Sequence, residues 1–85
     1  MRGLAVSPET VRSNAQLDAR GLFCPMPILR ASQAMQPLHS GEVLEVLATD
    51  PAAPPDFVAF AKQTGHHLLS STEEGGVYKF LIRHK

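Results

Sequence analysis

Cysteine is almost absent from this 85-residue chain: Cys24 is the only one. A single cysteine forms no internal disulfide. It builds no zinc site alone, and the four histidines stand at no metal-ligand spacing from it. His66 and His67 are adjacent and would face opposite ways on a strand, so they read as surface or edge residues. No metal and no cofactor is expected. Net charge is missing too, because eight basic and eight acidic residues cancel and lie scattered. Phosphate binding needs clustered Lys and Arg, so nucleic acid is not expected as a direct ligand. No stretch approaches the roughly 20 apolar residues of a membrane helix. Residues 1–6 carry one basic side chain and no apolar run of signal-peptide length. A soluble, cytoplasmic protein away from membranes is the expectation.

The chain has length for one small domain. A domain of this size buries only about 60% of the surface its unfolded chain exposes. Its core is thin, so chemistry belongs on a surface shared with a partner. No repeat or low-complexity segment appears.

Residues 1–13 are mixed and aperiodic around Pro8 and read as a flexible N-terminal arm. Residues 14–85 form the single domain. Residues 14–19 alternate weakly and suggest a first strand, with Gly21 freeing the chain to turn after it. From Pro25 the period changes: Ile28, Ala31, Met35 and Leu38 fall on one helix face. Pro37 disfavours helical geometry at Gln36, so the helix ends near there. Residues 42–48 are the best strand, with Leu44, Val46 and Ala48 on one face and Glu45 marking a partly wet one. Asp50 and Pro51 suit a helix cap, but Pro54 and Pro55 favour a start near themselves. Phe57, Phe60, Ala61 and Thr64 then line the inner face, and Gly65 suits the stop. Residues 67–73 and 77–83 form a hairpin about Gly75-Gly76, with Tyr78, Phe80 and Ile82 on one face. The order β-α-β-α-β-β predicts a two-layer α/β sandwich: a four-stranded mixed sheet with both helices on one face.

Cys24-Pro25-Met26-Pro27 is the informative motif. Proline suits the first helical position, where the N–H has no helix partner. With Pro25 there, Cys24 is the N-cap. Pro27 has no N–H, so the Met26 N–H is the expected local donor to the sulfur. The helix end carries about half a positive charge. Thiols so placed have pKa values lowered from about 8.5 into a range of roughly 3.5 to 7.5. A lone thiol is either a small buried hydrophobe or a reactive group. The two prolines favour a presented, reactive one.

At this motif the chain resembles the TusA/SirA-like family of small sulfur carriers, or sulfurtransferases. The matching run is Leu17-Asp18-Ala19-Arg20-Gly21-Leu22-Phe23-Cys24-Pro25-Met26-Pro27. Gly41-Glu42, Asp50-Pro51 and the closing strand from Tyr78 to Arg83 also fit, over about residues 15–85. The resemblance implies the same sandwich. It also implies that Cys24 accepts sulfane sulfur as a persulfide and relays it to an acceptor protein. The donor would be a cysteine desulfurase or a rhodanese-type protein. The pathway would be 2-thiouridine formation in tRNA, sulfur oxidation or molybdenum-cofactor metabolism. Members serving tRNA often carry an acidic residue between the prolines and Arg before the cysteine, where this chain has Met26 and Phe23. The second helix carries Pro54-Pro55 and no second cysteine.

Cys24 is thus the candidate reacting residue, shaped by Pro25, Met26 and Pro27. Arg20, Phe23 and Met26 are the candidate docking rim, with core packing an equal reading of Phe23. No general base stands beside Cys24 in the sequence, so partners would supply much of the catalysis. A thiol-based regulatory module, or a protein- or nucleic-acid-binding module, is the alternative function.

Overall fold

The structure, a computed structural model, describes residues 13–85. The arm expected over 1–13 lies outside the described residues except for Ser13. The elements are β1 (Ala15–Ala19), α1 (Met26–Met35), β2 (Val43–Ala48), α2 (Ala53–Thr64), β3 (His67–Glu74) and β4 (Val77–Arg83). This is the expected order. The strands form one mixed sheet in the order β1-β2-β4-β3. β1 pairs parallel to β2, Leu17 opposite Val46. β4 pairs antiparallel to β2 on one side and to β3 on the other.

The core lies between the sheet and the helices. Leu44, Val46 and Ala48 of β2 and Phe80 and Ile82 of β4 are sealed from water. They pack with Ala31 and Met35 of α1 and with Phe57 and Phe60 of α2. The Phe57 and Phe80 rings stack at 4.5 Å, an aromatic pairing that fixes α2 over the centre of the sheet. Both helices occupy this one face, because the alternate residues of every strand that contribute to the core point the same way. The opposite face is not uniformly wet: Val43 and Leu81 are buried there, opposite Arg83 and Glu45 in the register.

α2 begins at Ala53, one residue before Pro54, which agrees with the expected start near the two prolines. The first turn explains this. Its N–H groups have no intrahelical acceptor, so a proline there forfeits nothing. The first i to i−4 bond runs from the Asp56 N–H to the Ala52 carbonyl at 3.1 Å, just beyond both prolines. Gly65 ends the helix in the left-handed conformation, φ 83°, and its N–H reaches the Ala61 carbonyl at 2.9 Å.

Candidate functional site

The site sits where the parallel strands β1 and β2 end. Crevices at the carboxyl ends of parallel strands are the usual ligand location in α/β sheets. The connection from β1 to α1 carries Cys24; the connection from β2 to α2 carries Thr49 and Asp50. Two hydrogen bonds join the connections. The Gly21 N–H donates to Thr49 Oγ1 at 2.9 Å, and the Cys24 N–H donates to Asp50 Oδ2 at 2.7 Å. Gly21 has φ 82°, a conformation that glycine adopts without strain. Asp50 is buried, and its other oxygen accepts the Ala52 N–H at 3.1 Å. It therefore caps the turn that enters α2, as its position before Pro51 suggests, and holds the cysteine loop as well.

Cys24 is exposed. Its expected place as N-cap of α1 is taken by Pro25, which offers no side-chain acceptor, and Pro27 enters the first turn. The Cys24–Pro25 peptide bond is cis. The Met26 N–H does not serve the sulfur. It closes a tight turn on the Phe23 carbonyl at 2.8 Å and is no longer available as the local donor. Leu29 N–H then makes the first helical bond, to the Pro25 carbonyl at 3.1 Å.

The thiol also departs from expectation electrostatically. It is pushed up from the ordinary cysteine value, not down. The largest cause is the hydrogen bond with the Asp56 carboxylate, followed by desolvation, then the negative charges of Asp56 and Asp50. Asp56 stands in the first turn of α2. A carboxylate beside a thiol penalises the thiolate, and two of them oppose the pull of the helix end. Nothing in the sequence spacing signalled Asp56, which lies 32 positions from Cys24 and reaches it only because α2 starts beside the cysteine loop.

Arg20 lends the sulfur no free charge. Its Nε and Nη2 grip the two oxygens of Asp18 at 2.8 and 2.9 Å, and its backbone N–H bonds Oδ1 at 3.1 Å. That grip, chiefly the Arg20 side-chain hydrogen bond, lowers the Asp18 carboxyl to about 2. Phe23 is 68% exposed, so it is not a core residue. Met26 and Leu29 are exposed on the first turns of α1 and extend an apolar border beyond the expected rim. Pro27 is buried, anchoring the helix start. Two surface grooves lie elsewhere, along Glu45, Leu47, Thr72 and Lys79 and along Gln16, Asp18 and Glu45; neither includes Cys24. Chemistry at Cys24 is surface chemistry.

A two-layer sandwich that presents one exposed thiol just before two prolines of a helix start defines a class of small thiol proteins. The family model described as Sulfurtransferase TusA matches residues 15–84, and the chain belongs to that family. The chain is 57% identical over 68 residues to the sulfur carrier protein TusA of Allochromatium vinosum, covering 80% of this chain and 90% of that one. It is 51% identical over 73 residues to the putative sulfur carrier protein YrkI of Bacillus subtilis, covering 86% and 97%. Among solved structures, a SirA-like protein of Desulfitobacterium hafniense matches with a TM-score of 0.72 at 27% identity, over 81% of this chain and 95% of that one.

Proposed function

We propose that this chain is a sulfur carrier whose Cys24 holds sulfane sulfur as a persulfide. In loading, the Cys24 thiolate attacks the outer sulfur of a donor persulfide. The donor's S–S bond breaks as the new one forms, and the donor thiolate leaves and takes up the proton that Cys24 gave up on becoming a thiolate. Cys24–S–SH results with no external oxidant. In unloading, an acceptor thiolate attacks the outer sulfur and Cys24 departs as thiolate. The single observation that carries this reading is the exposed Cys24, anchored through its own backbone N–H, in a chain of this family.

The donor fits a cysteine desulfurase or a rhodanese-type protein, and the acceptor a protein of a thiolation, sulfur-oxidation or molybdenum-cofactor pathway in the cytoplasm. Partners dock on the rim of Phe23, Met26 and Arg20, while Pro25, Met26 and Pro27 shape the helix start. Asp56 raises the resting thiol, which disfavours unassisted attack and unassisted oxidation alike, so a docked partner must help to draw off the proton. Incubation with a cysteine desulfurase and L-cysteine tests the proposal. Intact-mass analysis should show the gain of one sulfur atom, lost on reduction and absent from Cys24→Ala. A wild-type chain that gains nothing would refute it.

A further inference from the structure

Asp50 is the buried charged side chain among the described residues. A buried carboxylate is costly unless its oxygens are satisfied. Starting α2 needs only one of them, the Oδ1 that accepts the Ala52 N–H. The other reaches back 26 positions in sequence and accepts the N–H of the residue that bears the thiol, at 2.7 Å. With that bond made, the backbone of the motif has no donor left for the sulfur. Pro25 and Pro27 have none, and the Met26 N–H is committed to Phe23. The sulfur has nothing in its own loop to fold back upon, and it stays exposed.

We propose that Asp50 is a positioning residue for sulfur transfer: it holds the Cys24 backbone so that the sulfur keeps the outward aim a protein partner must meet. The proposal rests on the reading of Cys24 as the sulfur-bearing residue. In-line attack between two sulfurs on separate proteins is sensitive to alignment, and a misplacement of about 1 Å can cost on the order of a hundredfold.

The charged groups facing Cys24 are Asp56 and Asp50 from the α2 side. On its own loop, Arg20 is committed to Asp18. Both carboxylates favour the protonated thiol, so removing the charge of Asp50 should let the thiolate form at lower pH. Two readouts should therefore move in opposite senses: the thiol becomes easier to ionise while transfer from a protein donor slows. Unfolding would also free the thiol and stop loading, so the split counts only for a variant whose circular dichroism matches the native chain.

Full-length Asp50→Ala and Asp50→Asn chains test this. Loading by a cysteine desulfurase with L-cysteine should fall about tenfold or more in Asp50→Ala. Its pH profile of iodoacetamide alkylation should shift to lower pH, and its Cys24 amide proton resonance should move upfield. Asp50→Asn keeps an acceptor oxygen but no charge, so it should show the profile shift with an amide resonance and loading rate nearer wild type. If Asp50→Ala does not fold, Asp50→Ser carries the test with the same expected outcomes, because its shorter hydroxyl can serve the Ala52 N–H but not the Cys24 N–H. Wild-type loading in Asp50→Ala, or a Cys24 amide resonance unmoved in that variant, would overturn the role. A wild-type chain that never loads would overturn the sulfur reading and this role with it; the amide resonance would then report the backbone clamp alone.

Discussion

Asp56, on the first turn of α2, is the largest influence that raises the thiol of Cys24 above its ordinary value. The cysteine therefore rests as a thiol in a place where a helix start alone would favour thiolate. Asp56→Asn removes the charge and should speed alkylation of Cys24 by iodoacetamide at neutral pH several-fold, with the pH profile moved to lower values. The check is the rate measured from pH 6 to pH 10. A profile identical to wild type would dismiss Asp56 as the cause.

The same proton affects stability. The folded thiol value lies above the unfolded one, so this contribution is complete below the unfolded thiol pKa. It is lost as pH rises through the folded one, because the unfolded chain then releases a proton that the folded chain retains. Urea midpoints should fall more steeply across this alkaline range for the native chain than for Cys24→Ser.

Asp18 works in the opposite direction. Its carboxyl is lowered to about 2 from 3.8 by Arg20, so its contribution is present above the unfolded value and lost as pH falls toward 2. Carbon-detected NMR titration should find Asp18 near 2 in the native chain and near its ordinary value in Arg20→Gln. Both groups are exposed, so thermal stability at neutral pH should change little.

The apolar rim should act on docking and not on the thiol. Phe23→Ser leaves the core untouched, since Phe23 is exposed, and should leave alkylation of Cys24 and the melting temperature near native values. Loading by a protein donor should slow, with most of the loss in a raised KM. Equal loading kinetics would remove Phe23 from the docking surface.

The core prediction concerns Phe57, sealed from water and stacked on Phe80. Phe57→Ala should cost about 3–5 kcal/mol, read as a lowered urea midpoint. In a domain with so thin a core, that is a large share of a total of about 5–15 kcal/mol.

Periodicity made most of this fold readable. Leu44, Val46 and Ala48 announced the inward face of β2, and Gly65 and Gly75-Gly76 marked the stops correctly. The start of α2 was readable as well, because Pro54 and Pro55 suit a first turn, where no N–H is missed. Cys24 and its prolines stood out in the sequence, but the electrostatics did not. The pull of one helix end is local and can be read from the motif. Asp50 and Asp56 act through space, from a corner that meets the cysteine only after β1 and β2 pair. The Met26 N–H was assigned to the sulfur because the sequence conceals the turn that gives it to Phe23.

The central claim is that Cys24 both accepts sulfur and gives it up. Its most direct measurement follows radiolabelled sulfur from L-cysteine through a desulfurase onto the purified chain, and then onto a separate thiol acceptor after the donor is removed. The account predicts one labelled sulfur per chain, bound at Cys24, released by reductant and passed to the acceptor thiol, with no label on Cys24→Ala. Label that never binds Cys24, or that binds and cannot be passed to any thiol, would contradict it.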